Sequence, residues 1–182
     1  MDNQIKEIAE RLQGLRDVLE LSSAEFAQQA GLDQQEYEKA ETGESDISVS
    51  MLQRISRKFR VSLDELMFGL EPRMSKYFLT RSGKGISIER TKAYKYQSLA
   101  SGFKGRLADP FLVTVEPSNE PITLNQHSGQ EFNLVVKGCL QIRLDEKDLI
   151  LNPGDSLYFN ANLLHGMKAL HQEQAQFIAI II

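Results

Sequence analysis

A histidine and a glutamate that could contribute to a metal site stand four residues apart in the stretch LNQHSGQEF. His127 precedes a Ser-Gly turn and Glu131 follows it, in a chain with only three histidines. Imidazole nitrogens and carboxylate oxygens are both common ligands of divalent metals. The same pattern is typical of a polar turn between two strands, so the rest of the chain has to supply the other half of a metal site.

The composition is that of a globular protein, with 182 residues, 41% hydrophobic residues and 25% charged residues. No apolar run approaches the ~18 residues needed to cross a membrane. The segment MDNQIKEIAE lacks the basic and apolar regions of a signal peptide. Cys139 is the only cysteine, which excludes an intrachain disulfide and a cysteine-cluster zinc site. We therefore expect a cytoplasmic protein with no membrane partner.

The hydrophobic period divides the chain into two parts. Residues 1–70 show helical spacing, with Ile5, Ile8, Leu12, Leu15 and Leu19 on one predicted face. Capping residues predict four more helices, which begin after Ser22, after Asp33, after Ser48 or Ser50, and after Ser62. From about residue 86, short β-rich runs separated by Pro, Gly and Asn predict a sandwich or barrel. The expected fold class is α+β, with a five-helix domain at 1–70, a basic linker at 71–85 and a β domain at 86–182.

The helical part resembles the lambda/Cro-repressor-like (XRE) helix-turn-helix over residues 5–68. The similarity includes Ala27 and Gly31 around the turn and the Glu41-Thr42-Gly43 exit of the next helix. In this family the second helix lies in the DNA major groove, where its early residues contact base edges. The resemblance implies that the DNA-contacting residues are Gln34, Gln35, Glu38, Lys39 and Thr42.

The charge of this segment departs from that of a strong DNA-binding protein. Residues 31–47 contain six acidic residues and one lysine, although phosphate neutralisation supplies much of DNA affinity. Arg54, Arg57, Lys58 and Arg60 offer some compensation, and residues 71–106 contain nine basic residues against two acidic ones. The alternative is a helix-turn-helix that serves only for packing or dimerisation.

The β part resembles the cupin family, whose barrels often hold a divalent metal. Asn125, His127, Glu131 and Gly138 match the first cupin motif, and Pro153-Gly154-Asp155 with His165 matches the second. The resemblance implies a metal site of His127, Glu131 and His165, with Asn125 as a weak fourth ligand in place of the usual histidine. Two histidines and a carboxylate are typical of non-haem iron sites with open positions, and nickel, zinc or manganese are alternatives. In a barrel without metal, the same residues would only line a ligand pocket.

A second polar cluster could bind a ligand. Tyr94 and Tyr96 share one face of a predicted strand, and Arg90 precedes them by two alternations. Facing inward, they could hold a carboxylate or phosphonate through charge-assisted hydrogen bonds. Facing outward, they would form a subunit contact or a solvated edge.

Together these resemblances imply a transcription regulator that binds double-stranded DNA as a homodimer and senses a small-molecule effector in its cupin barrel. The alternative is an iron(II)-dependent cupin oxygenase of the hydroxypropylphosphonate epoxidase type, which combines the same two domains. A third possibility is a non-catalytic binding protein that does not bind DNA.

Overall fold

The structure is a computed structural model that describes residues 3–70, 73–89 and 94–182. The chain divides into two compact units, Met1–Pro72 and Arg73–Ile182. In the described residues, no helix is both long enough and apolar enough to span a lipid bilayer. The boundaries proposed for a linker at 71–85 remain a prediction.

The described part of the first unit forms five helices, as predicted. They are α1 (Asn3–Val18), α2 (Ser23–Ala30), α3 (Gln34–Glu41), α4 (Val49–Phe59) and α5 (Leu63–Phe68). The ring of Phe26 stacks between those of Tyr37 and Phe59, with centroid distances of 4.9 and 4.4 Å. Leu19, expected on the apolar face of α1, is 39% exposed and lies one residue beyond the end of the helix at Val18.

The helix starts follow the capping residues in the sequence. Ser22, Asp33, Ser48 and Ser62 each accept a hydrogen bond from the backbone N–H three residues later. Of the two serines considered for α4, Ser48 is therefore the cap. At α2 the contact is reciprocal, because the Ser22 backbone N–H donates to the Glu25 carboxylate at 2.9 Å. Such caps satisfy backbone donors that the helix cannot satisfy itself.

The second unit contains nine strands in its described residues, all paired antiparallel. They are β1 (Ile86–Glu89), β2 (Tyr94–Ser98), β3 (Asp109–Val115), β4 (Gln130–Lys137), β5 (Leu140–Leu144), β6 (Lys147–Leu151), β7 (Ser156–Asn160), β8 (His165–Ala169) and β9 (Ala175–Ile181). They form a six-stranded sheet of order β1-β2-β3-β9-β4-β7 and a three-stranded sheet of order β6-β5-β8. This arrangement confirms the expected cupin-like β domain.

Alternating side chains of these strands build the core of the second unit. Along β4, Glu131, Asn133 and Val135 are buried, whereas the residues between them are half-buried. The paired strands contribute the large apolar groups of the interior, which include Phe111, Val113, Leu140, Ile142 and Phe177. Because every second side chain of β4 faces the interior, its polar residues Glu131 and Asn133 lie in a largely apolar core.

We expect Ser22→Ala to lower the free energy of unfolding of the helical domain by about 1 kcal/mol, because it removes a helix cap. Ser56→Ala makes the same chemical change inside α4, where no cap is lost, and should change stability far less. Urea unfolding followed by circular dichroism measures both effects. Equal destabilisation by the two variants would contradict the capping role of Ser22.

Candidate functional site

The three predicted metal ligands come from three segments of the barrel. Glu131 is the second residue of β4 and His165 the first residue of β8, while His127 lies in the loop before β4. That loop is fixed by the chain after β7: the His127 N–H donates to the Ala161 carbonyl at 2.9 Å, and the Ala161 N–H donates to the Gly129 carbonyl at 3.0 Å. The position of His127 therefore depends on backbone pairing.

The segment before this loop is held against β8 by a short antiparallel bridge. Asn125 and His165 exchange two backbone hydrogen bonds of 2.8 Å each. The next residue is Gly166, where a Cβ would lie 2.3 Å from the Thr123 carbonyl oxygen. Because real side chains do not approach so closely, this contact requires glycine.

The structure brings the three predicted ligands together in the buried interior. Nε2 of His127 lies 3.1 Å from Oε2 of Glu131, and Nε2 of His165 lies 3.7 Å from the same oxygen. One ligand atom from each residue can be chosen so that all three lie within 4.8 Å of one another. The two imidazole rings are 5.1 Å apart and nearly perpendicular, at 82°, and each residue is at most 5% exposed.

The hydrogen bonds made by the Nδ1 atoms of the two histidines orient the imidazole rings and so fix the direction of their Nε2 atoms. Nδ1 of His165 lies 2.8 Å from the Leu163 carbonyl, and Nδ1 of His127 lies 3.3 Å from the Ser128 carbonyl. A carbonyl only accepts, so Nδ1 of His165 carries the hydrogen and the Nε2 of a neutral ring presents a lone pair. This lone pair faces the Glu131 carboxylate, an arrangement that a cation between them would stabilise.

Burial favours the neutral form of His165. Desolvation is the main reason that its pKa lies below the ordinary histidine value. The nearby Glu131 charge and the Leu163 hydrogen bond act in the opposite direction, and His127 adds to the lowering. A neutral imidazole is the form that binds metals.

The ligand set fits a divalent transition metal. Ligand atoms about 2.1 Å from a metal and at right angles to one another would be about 3 Å apart. The His127–Glu131 distance of 3.1 Å matches this spacing, and the His165–Glu131 distance of 3.7 Å is longer. Two imidazoles favour iron, nickel, copper or zinc over ions that prefer oxygen ligands only. The identity of the metal remains a prediction.

Asn125 is arranged differently from the sequence-based expectation. In a strand, residues two apart project to the same face, which predicts that Asn125 lies beside His127. Residues 126–129 form no strand, however, and Asn125 is exposed while His127 is buried. Directly paired residues of an antiparallel bridge place their side chains on one face, so Asn125 shares a face with His165 instead. Its role as a weak ligand stays a prediction.

The tyrosines predicted to line a pocket lie on the inner side of the large sheet. Tyr94 pairs with Val115 and Tyr96 with Val113, both of which are buried. The Tyr94 hydroxyl donates to the Met167 carbonyl on β8, and burial together with Tyr96 raises its pKa to about 12. Inward placement agrees with the pocket interpretation, and ligand binding by these tyrosines stays a prediction. Arg90 lies outside the described residues.

The predicted DNA-contacting residues lie on and just after α3. Gln34, Gln35, Lys39 and Thr42 are exposed, whereas Glu38 is half-buried. The Gln34 amide and the Ser23 hydroxyl both donate to Oε1 of Glu38 at 2.9 Å, and these two bonds lower its pKa. Gln35 and Lys39 thus offer outward-facing polar groups, while Glu38 is engaged within the domain.

One buried polar residue of the barrel was missed by sequence reasoning. Asn133 lies two residues after Glu131, so the strand period alone places it on the same face. It is fully buried, and the signal that could have identified it is this alternation.

Removal of one imidazole should abolish metal binding. We expect His165→Ala to bind no iron, nickel, zinc or manganese in anaerobic titrations, because only two of the three ligands remain. The control is His171→Asn, which removes an exposed histidine; asparagine tolerates the positive φ of 59° at this position.

Asn125→His should tighten metal binding by adding an imidazole. No uptake by either the native protein or Asn125→His would show that the trio is only a polar lining.

Metal affinity should fall as the pH is lowered. Protons compete with the metal for His165, whose pKa lies below its ordinary value. Proton competition at this residue should therefore begin only below about pH 6.5, and affinity should fall on further acidification. Dissociation constants measured across the range of about pH 5–8 test this. An affinity that rises on acidification would contradict imidazole ligation.

The comparisons with known proteins agree with this two-part organisation. Residues 12–66 match the helix-turn-helix family, and residues 111–181 match the cupin domain family. No curated protein is significantly similar to the chain in sequence.

Solved structures show the same fold over nearly the whole chain. An HTH_3 family transcriptional regulator from Vibrio cholerae is 22% identical with a TM-score of 0.67, covering 98% of this chain and 96% of that chain. Hydroxypropylphosphonic acid epoxidase from S. wedmorenis is 19% identical with a TM-score of 0.53, covering 100% of both chains. A structure of Fe(II) HppE is 19% identical with a TM-score of 0.54, covering 99% of this chain and 100% of that chain. The chain therefore joins an N-terminal helix-turn-helix domain to a C-terminal cupin domain, as its sequence predicts.

Proposed function

We propose that the chain is a DNA-binding transcription regulator that works as a homodimer and binds a small effector in its cupin barrel, together with a divalent transition metal. The observation that carries the DNA-binding part is the exposed polar face of α3 in a helix-turn-helix domain. The buried trio of His127, Glu131 and His165 supports the metal.

The residues of α3 suit base recognition better than strong phosphate binding. The Gln35 amide can pair with adenine through its donor and acceptor. Glu38 holds the amide of Gln34 at 2.9 Å, which orients that side chain before DNA arrives. Basic residues in α4 and just after it, Arg54, Arg57, Lys58 and Arg60, would supply phosphate contacts, and a dimer would double them.

An effector regulates DNA binding only if its affinity differs between two states of the protein. In helix-turn-helix dimers the two recognition helices read half-sites about 34 Å apart. A change in the barrel that alters this spacing would therefore alter operator affinity. When a metal is bound at the trio, it could polarise an effector oxygen, while the barrel residues orient the effector and exclude water.

A second candidate function is favoured by the ligand set. Two histidines and one carboxylate leave coordination positions open for substrate and oxygen, and the chain shares its fold with hydroxypropylphosphonic acid epoxidase. Fold similarity does not determine chemistry. Substrate-dependent oxygen consumption by the iron-loaded protein, lost in His165→Ala, would support an oxygenase.

If the chain is a regulator, a substitution in α3 should weaken its binding to a specific DNA sequence. A selection from random duplexes should enrich a pseudo-palindrome, and Gln35→Ala should weaken its binding by ~1–3 kcal/mol by removing a base contact. Gln13→Ala, an exposed amide on α1, is the matched control and should bind normally. Fluorescence anisotropy measures both. If no duplex is enriched at low salt, the DNA-binding function is wrong.

A further inference from the structure

The side chain of Asn133 is a buried amide without a partner. It is 0% exposed, and neither Nδ2 nor Oδ1 has a hydrogen-bond partner among the residues that the structure describes. Asn133 lies between Glu131 and Val135 on the buried face of β4. Its amide therefore belongs to the barrel interior, one strand alternation away from the metal trio.

The side chains paired with Asn133 on the neighbouring strands do not satisfy its amide. Asn133 is paired with Ala179 on β9 and with Leu157 on β7, and neither side chain can donate or accept a hydrogen bond. A buried amide without a partner is unfavourable. Such groups usually have an unseen partner, either an ordered water or a ligand.

We infer that Asn133 is an effector-recognition residue, and that the effector is a small neutral molecule carrying an N–H donor beside a carbonyl acceptor, as in a carboxamide, a urea or a lactam. This inference rests on the proposed effector-binding role of the barrel. The asparagine amide offers two donors and one acceptor oxygen, so a donor–acceptor pair on the ligand satisfies both of its ends.

An anionic effector group fits Asn133 less well. A carboxylate only accepts hydrogen bonds, so one of its oxygens would face Oδ1 of Asn133 unfavourably. In the described part of the barrel no lysine or arginine is buried, so an anionic group at Asn133 would find its counter-charge only at the metal of the trio and not at Asn133 itself. Alternate residues of a strand are about 7 Å apart, so one small molecule can contact both Asn133 and the trio.

The test uses two probes of equal size on the full-length, metal-loaded protein. Propionamide has the donor and the acceptor, whereas butan-2-one keeps only the carbonyl. We expect the side-chain amide resonances of Asn133 to shift during titration with propionamide, and butan-2-one to bind at least about tenfold more weakly, because a site that hydrogen-bonds a group rejects analogues lacking it. Asn133→Leu should lose this discrimination, while Asn152→Leu, an exposed amide in the same barrel, should keep it.

Three results would overturn the inference. They are equal affinity for the two probes, retained propionamide binding in Asn133→Leu, and unshifted Asn133 resonances, which would assign the amide to a buried water. If Asn133→Leu does not fold, the resonances of the native protein decide alone.

Selection of operator duplexes with the same preparation distinguishes a failure of the regulator function from a failure of the Asn133 inference. Amide binding without an enriched duplex rejects the regulator only, and an enriched duplex without amide binding rejects the role of Asn133 only.

Discussion

The burial of the Glu131 carboxylate is the constraint on which the barrel interior depends. Its side chain is only 5% exposed, and an ionised carboxylate is costly to bury unless it is paired. The only groups seen within ion-pair distance of it, among the described residues, are the imidazoles of His127 and His165. Three separate segments therefore have to converge on one oxygen atom, and the backbone pairing of each serves that convergence.

Strand β4 links this carboxylate to the rest of the fold. It pairs with β9 on one side and β7 on the other, so its alternation decides which polar groups enter the interior. Glu131 and Asn133 both lie in this interior. Glu131 has the imidazoles of His127 and His165 beside it, whereas Asn133 is paired with the apolar residues Leu157 and Ala179. The chemistry of the first suits a cation and that of the second suits a hydrogen-bonding group, so the two polar residues of β4 differ in the partner that each would accept.

Local features were predictable from the sequence and long-range ones were not. The Ser22 cap depends on residues within one turn, and the metal trio was implied by the resemblance to the cupin motifs. The exposure of Asn125 depends on its pairing with a strand 40 residues later in the sequence. The isolation of Asn133 depends on which residues β7 and β9 place beside it, and no local pattern contains that information.

The glycine beside His165 has a consequence for sequence variation among similar proteins. Any side chain at Gly166 would collide with the carbonyl of Thr123 and push the preceding segment away from β8. The backbone bridge to Asn125 would then break, and the loop carrying His127 would shift with it. A homologue could therefore retain all three ligand residues and still lose the metal centre, so that the identity of residue 166 is as diagnostic of a working site as the histidines themselves.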